Sequence, residues 1–173
     1  TVGLPGAGKS TFARRLARLA GAVVLESDAV RQLLFQPPTY SPEESRVVFR
    51  SLHSAARRLI RRGTSVIVDA TSITESERRP LYALADEAGA RLLIVHLDAP
   101  DEVVAARLER RASGRSGPED RSQAGLDVHR RMAGRFEPLA RPHWRIDTSD
   151  PGAVAANYIV QGFCSYSAGT AGS

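Results

Sequence analysis

The sequence predicts an α/β protein, a three-layer α/β/α sandwich around a parallel sheet, and three observations carry that prediction. Near the start, Gly3 to Ser10 fit the pattern Gly-x-x-x-x-Gly-Lys-[Ser/Thr], a loop that joins a strand to a helix and wraps a polyphosphate with its backbone. Short apolar runs of strand length then alternate with stretches of helical periodicity, which points to βαβ units. Each run ends in an acid or just before one, at Asp28, Asp69, Asp98 and Asp147. Ligands of open parallel sheets bind beyond the carboxyl ends of the strands, so these acids are expected on one rim.

The elements follow in order. The first helix is expected from Lys9 to Ala20, with Phe12, Leu16 and Leu19 on the apolar face, Arg14, Arg15 and Arg18 opposite, and Gly21 as its stop. Residues 22–27 read as a strand, followed by Asp28 and a short helix. Pro37, Pro38 and Pro42 mark a loop. A long helix from Glu43 to Arg62 presents Val47, Phe49, Leu52, Leu59 and Ile60 and closes at Gly63. The run Ser-Val-Ile-Val-Asp is the next strand, with Asp69 at its end. Helical periodicity returns from Thr74 to Ala88, where Pro80 should start or kink the helix. A third strand ends at Asp98, and its helix from Asp101 to Ala112 carries Val103, Val104 and Leu108. Residues 113–122 form a charged Gly/Ser/Pro-rich loop, Gln123 to Phe136 a further helix, and residues 143–149 the last strand. Trp144 is expected over the sheet edge or core. A short helix near Ala153 to Tyr158 and a disordered tail over 159–173 complete the chain.

At 173 residues the length suits one domain, and 42% hydrophobic with 25% charged residues is ordinary for a globular chain. The net charge of +5 favours an anionic ligand, with nucleic acid a weaker candidate because the arginines are spread over every helix. A single cysteine, Cys164, rules out an internal disulfide and fits the cytoplasm. No apolar run approaches the roughly 18 residues of a membrane span, and no signal peptide is seen. His53, His96 and His129 lack metal-ligand spacing and read as packing or surface groups. Only Thr1 and Val2 precede the loop, whereas such a loop normally follows a strand of about five residues. The first strand is therefore expected to be cut short, or the chain to be the rear part of a longer one with a fused domain upstream.

The candidate nucleotide-binding residues are Gly3, Pro5, Gly6, Ala7, Gly8, Lys9, Ser10 and Thr11. Lys9 is the only lysine, in a chain whose other basic residues are all arginine. A compact ammonium is thus kept where it would bridge the β- and γ-phosphates of ATP. Ser10 and Asp69, the latter with the form of a Walker B acid, are the candidate Mg²⁺ ligands. Asp28, with Arg31 three residues on along the same helix face, could take a proton from an acceptor hydroxyl while the guanidinium orients the acceptor. Arg107 and Arg111, four apart on one helix face, are candidates to meet the transferring phosphoryl group from a closing lid, together with Arg110 and Arg115. Such an arginine can contribute about 10³ to 10⁵ in rate. No Asn-Lys-x-Asp base-reading motif is present, since the only asparagine is Asn157, so a switch GTPase is excluded.

The stretches GLPGAGKST, SDAVR, SVIVDAT and RLERR, in that order and spacing, resemble the P-loop kinases of the AAA-like "predicted kinase" group. Polynucleotide 5′-hydroxyl kinases, zeta-toxin-type kinases, chloramphenicol phosphotransferase and gluconate kinase belong to it. The likeness is strongest to ATP-binding domains found alone or fused behind an aminoglycoside-phosphotransferase-like domain, and it covers about residues 1 to 149. It implies a P-loop kinase-like domain over 1–158 with a five-stranded sheet in the order 2-3-1-4-5 and a small lid. It also implies phosphate binding by Gly6, Gly8, Lys9, Ser10 and Thr11, and a general base at Asp28 with Arg31 on the substrate side. The Mg²⁺ role falls on Asp69, and lid or adenine-side roles fall on Arg107 and Arg111. The expected activity is transfer of the γ-phosphoryl of Mg·ATP to the hydroxyl of a small molecule or a nucleic-acid 5′ end. A regulatory ATP-binding module of a larger fused protein is the alternative.

Overall fold

The computed structural model describes residues 1–113 and 124–150. The expected lid segment 114–122 with Arg115, and the helix and tail expected beyond residue 150, lie outside the described residues. The described elements are α1 (Lys9–Ala20), β1 (Val23–Glu26), α2 (Ser27–Leu34), α3 (Pro42–Ile60), β2 (Val66–Asp69), α4 (Glu75–Glu87), β3 (Val95–Asp98), α5 (Asp101–Ala112), α6 (Leu126–Ala133) and β4 (Trp144–Asp147).

All pairing is parallel. β1 runs beside β2 with Val23 opposite Val66 and Glu26 opposite Asp69, and β3 beside β4 with Val95 opposite Trp144 and Asp98 opposite Asp147. The start of the chain lies between the two pairs. The Val2 amide donates to the Val95 carbonyl and the Leu97 amide to the Val2 carbonyl, both at 2.8 Å. On the other side the Thr1 nitrogen donates to the Val68 carbonyl at 2.7 Å. Four strands are therefore described where the resemblance implies five. The reason is length, since Thr1 and Val2 suffice for a bridge to His96 but not for a ladder.

Strand residues alternate between faces, and β3 shows what each face covers. Val95 and Leu97 join Phe12 and Leu16 of α1 and Ile146 of β4 in one buried cluster. Ile94, on the opposite face, joins Val2 and Tyr82 of α4 in another, with Phe136 and Leu139 against it. Helices thus cover both faces, giving the three expected layers. Burying a side chain the size of Phe12 or Leu97 contributes about 1.5–3 kcal/mol, so these clusters dominate what holds the sheet between its helices.

Local chemistry fixes the helix ends, and several sequence expectations change in detail. Gly21 stops α1 in the left-handed region at φ 62°, its amide donating to Ala17. Leu19 is 47% exposed and leaves the apolar seam to Phe12, Ala13 and Leu16. In α3 the buried seam is Glu44, Val48, Leu52 and Ala56, four residues apart each time. The polar Glu44 hides that seam from a reading of apolar periodicity, and Val47, Phe49, Leu59 and Ile60 are only half-buried. Pro80 neither starts nor ends α4. Thr74 and Glu77 form a reciprocal capping box that starts the helix at Glu75, and Pro80 is carried inside it. Trp144 is 53% exposed and covers no core.

Arg78 is the largest fully buried side chain among the described residues. Its Nε donates to Glu75, its Nη1 to the carbonyls of Ser72 and Ile73, and its Nη2 to those of Glu137 and Pro138. All five of its N–H groups are thereby used. The segment after β2 is held against the segment after α6.

Candidate active site

The loop before α1 is shaped by its glycines. Gly3, Gly6 and Gly8 have φ of 152°, 85° and 80°. A Cβ on Gly3 would lie 2.3 Å from the Leu97 carbonyl oxygen, and one on Gly6 2.8 Å from Val104 Cγ1. Both positions are closed to larger residues by contact as well as by dihedral.

The carbonyls of this loop are taken up one after another. The Leu4 carbonyl accepts from Lys9 Nζ at 2.9 Å, Pro5 from His129 Nδ1 at 2.7 Å, Gly6 from Arg107 Nη1 at 3.1 Å, and Ala7 from Thr148 Oγ1 at 3.1 Å. The Phe12 amide takes the Gly8 carbonyl at 3.0 Å as the first helical bond. Donors from α1, α5, α6 and the segment after β4 thus hold the acceptors of the loop. The N–H groups of the first turn of α1 have no intrahelical acceptor, and together with the helix dipole they form an anion site.

Lys9 stands in a charged setting. Burial lowers its pKa, while Asp69 and Asp28 both act to raise it and Arg111 to lower it. The fields of both acids expected near the loop are therefore felt at the same ammonium. Asp69 is 3% exposed and its Oδ1 accepts from Thr1 Oγ1 at 3.0 Å. Asp28 lies in the first turn of α2. The other two rim acids serve the turns beside them: Asp98 accepts from the Ala99 amide and Arg145, and Asp147 from Ser149.

One cleft of about 1050 Å³ joins these groups, lined by the loop, Ser10, Thr11, Asp28, Asp69 and Arg111. It is at the upper end of the range for small-molecule sites, with room for a nucleotide and a second molecule. The Ser10 hydroxyl and the Asp69 carboxylate are hard oxygen donors on this cleft. They are the ligand type Mg²⁺ takes when phosphates and water complete its shell. Among the described residues no group of three or more His, Cys, Asp or Glu could hold a metal by itself.

Two of the expected arginines line the cleft and are held by named partners. Arg31 lines the cleft but is 6% exposed. It is held by Glu44 at 3.2 Å and Ser45 at 3.1 Å and lies 4.8 Å over the Tyr40 ring. Glu44 also accepts from the Thr39 amide and hydroxyl and the Tyr40 amide. Burial acts to raise its pKa, but these donors outweigh that and hold it below the usual glutamate value. Arg107, expected in a lid or adenine-side role, donates besides Gly6 to the Thr148 hydroxyl at 2.8 Å and the Thr148 carbonyl at 2.7 Å. It ties the loop to the end of β4. Sequence reasoning singled out neither Thr148, which lines the cleft, nor Glu44, which holds Arg31, and no spacing signal sets either apart; His129, read as a packing or surface group, is buried.

The geometry and topology together define an α/β P-loop kinase fold. The family described as AAA domain matches residues 1–139, and this chain belongs to that family. It is 38% identical over 109 residues to an adenylyl-sulfate kinase of Myxococcus xanthus, a match over 61% of this chain and 59% of that protein. It is 31% identical over 161 residues to an uncharacterized protein of Mycobacterium tuberculosis, covering 86% of this chain and 31% of that one. The chain therefore spans less than two thirds of these relatives. Among solved structures, the Mycobacterium tuberculosis APS kinase in complex with AMPPNP and APS superposes with a TM-score of 0.69 at 21% identity, over 92% of both chains. Among the described residues no helix is long and apolar enough to cross a membrane.

Proposed function

We propose that this domain transfers the γ-phosphoryl group of Mg·ATP to a hydroxyl of an acceptor. The observation that carries the reading is the single cleft whose lining brings together Lys9 and the loop before α1 with Asp28 and Asp69. The amides of the first turn of α1 and Lys9 bind the phosphates, and Lys9 leaves the Leu4 carbonyl to do so. Ser10 and Asp69 would hold Mg²⁺, which would supply charge neutralisation for the phosphates. Asp28 accepts the proton of the acceptor hydroxyl as that oxygen bonds to the γ-phosphorus. The bond to the β–γ bridging oxygen breaks, its electron pair leaves on ADP, and the products are ADP and the phosphorylated acceptor. Arg31 orients the acceptor from a position fixed by Glu44 and Tyr40, and Arg111 faces the phosphates from α5.

The test is ADP release by the full chain with and without a panel of hydroxyl acceptors. The panel begins with adenylyl sulfate, the substrate in the name of the Myxococcus relative, and includes sugar acids and 5′-hydroxyl oligonucleotides. Acceptor-stimulated release establishes the kinase. Tight Mg·ATP binding with no stimulation by any acceptor favours the regulatory module. Asp28→Ala should keep Mg·ATP binding and lose about 10²- to 10⁴-fold in transfer. Full transfer by that variant removes Asp28 as the base.

A further inference from the structure

We propose that His129 is a positioning residue, which sets the phosphate-binding loop by holding the Pro5 carbonyl and docks α6 onto it. This rests on the reading of the cleft as a nucleotide site. His129 is 8% exposed, and its Nδ1 lies 2.7 Å from the Pro5 oxygen. A carbonyl can only accept, so Nδ1 carries the hydrogen. Pro5 has no N–H, and its carbonyl is the one acceptor of the Leu4–Ala7 turn held from α6; the others are held by α1, α5 and Thr148. The same helix brings Val128, Arg131 and Met132 to the wall of the cleft. The bond from His129 to Pro5 therefore relates that wall to the loop. Loss of the donor leaves a buried carbonyl unsatisfied and frees the peptide between Pro5 and Gly6 to rotate, the movement that would turn the loop amides away from a phosphate.

The chemistry offers a sharp control. Asparagine carries an N–H donor attached to Cγ, as histidine does with Nδ1, so His129→Asn can restore the bond. His129→Leu cannot, although it fills similar space. Amide hydrogen exchange over residues 6–10 in the ligand-free full chain reads the loop directly, and calorimetric titration with Mg·ATP reads the consequence. The expected result is about fivefold faster exchange and about fivefold weaker binding for Leu, with Asn close to wild type in both. Unchanged exchange in the Leu variant overturns the proposal. So does equal loss in Asn and Leu, which would mean that packing rather than the donor matters. If exchange follows the expected pattern while the wild type shows no heat with Mg·ATP, the positioning role stands and the nucleotide reading of the cleft falls.

Discussion

Lys9 is held in the folded chain against the cost of its own charge. Burial pulls its pKa below the ordinary 10.5, and bound phosphates would push it back up. Nucleotide binding is therefore predicted to take up protons in the window between the depressed and ordinary values, and affinity should fall as pH rises through the depressed one. Calorimetry in buffers of different ionisation enthalpy measures that uptake. Lys9→Ala should abolish transfer. Glu44 carries the opposite sign. Its folded pKa lies below the ordinary 4.5, so its contribution to stability is complete above that value and is lost as pH falls through the depressed one. Glu44→Gln should lower the melting temperature at pH 7 and flatten its fall toward pH 3. An unchanged acid limb would mean that Glu44 is not the group responsible.

At the scale of elements, a few polar junctions add to the stability supplied by the apolar layers. Arg78→Ala should cost about 3 kcal/mol in urea denaturation, because four backbone carbonyls lose their donor, those of Ser72 and Ile73 in buried bonds and those of Glu137 and Pro138 in part-buried ones. Gly6→Ala drives a methyl group to 2.8 Å from Val104 and should weaken nucleotide binding by at least about tenfold, read by titration. What the sequence reveals at this scale follows from which interactions are local. The glycine pattern, the lone lysine and the acids at strand ends are legible because each needs a residue type at a fixed offset. The seam of α3 is not, because Glu44 sits on it and is made tolerable by Thr39, Tyr40 and Arg31. Arg107, a candidate from its helix face, lines the cleft, but only the fold reveals that its partners are Gly6 and Thr148.

For the whole molecule, the three layers follow from the alternation of runs and helices, and the opposed clusters on β3 are their physical form. The first strand, expected to be cut short, is represented by two residues that bridge the two halves. Since the cleft draws on α1, α2, α5 and α6 together, occupancy should stabilise the entire domain. At a hundredfold excess over Kd, Mg·ATP would add about 2.7 kcal/mol, or roughly 5–10 °C in melting temperature. Absence of any shift would count against the cleft as a nucleotide site. The solitary lysine has one more consequence. An acylating reagent finds a single side-chain amine in the entire polypeptide, so the mass increment at that residue becomes a built-in footprint, and its protection by a ligand would report occupancy without any engineered label.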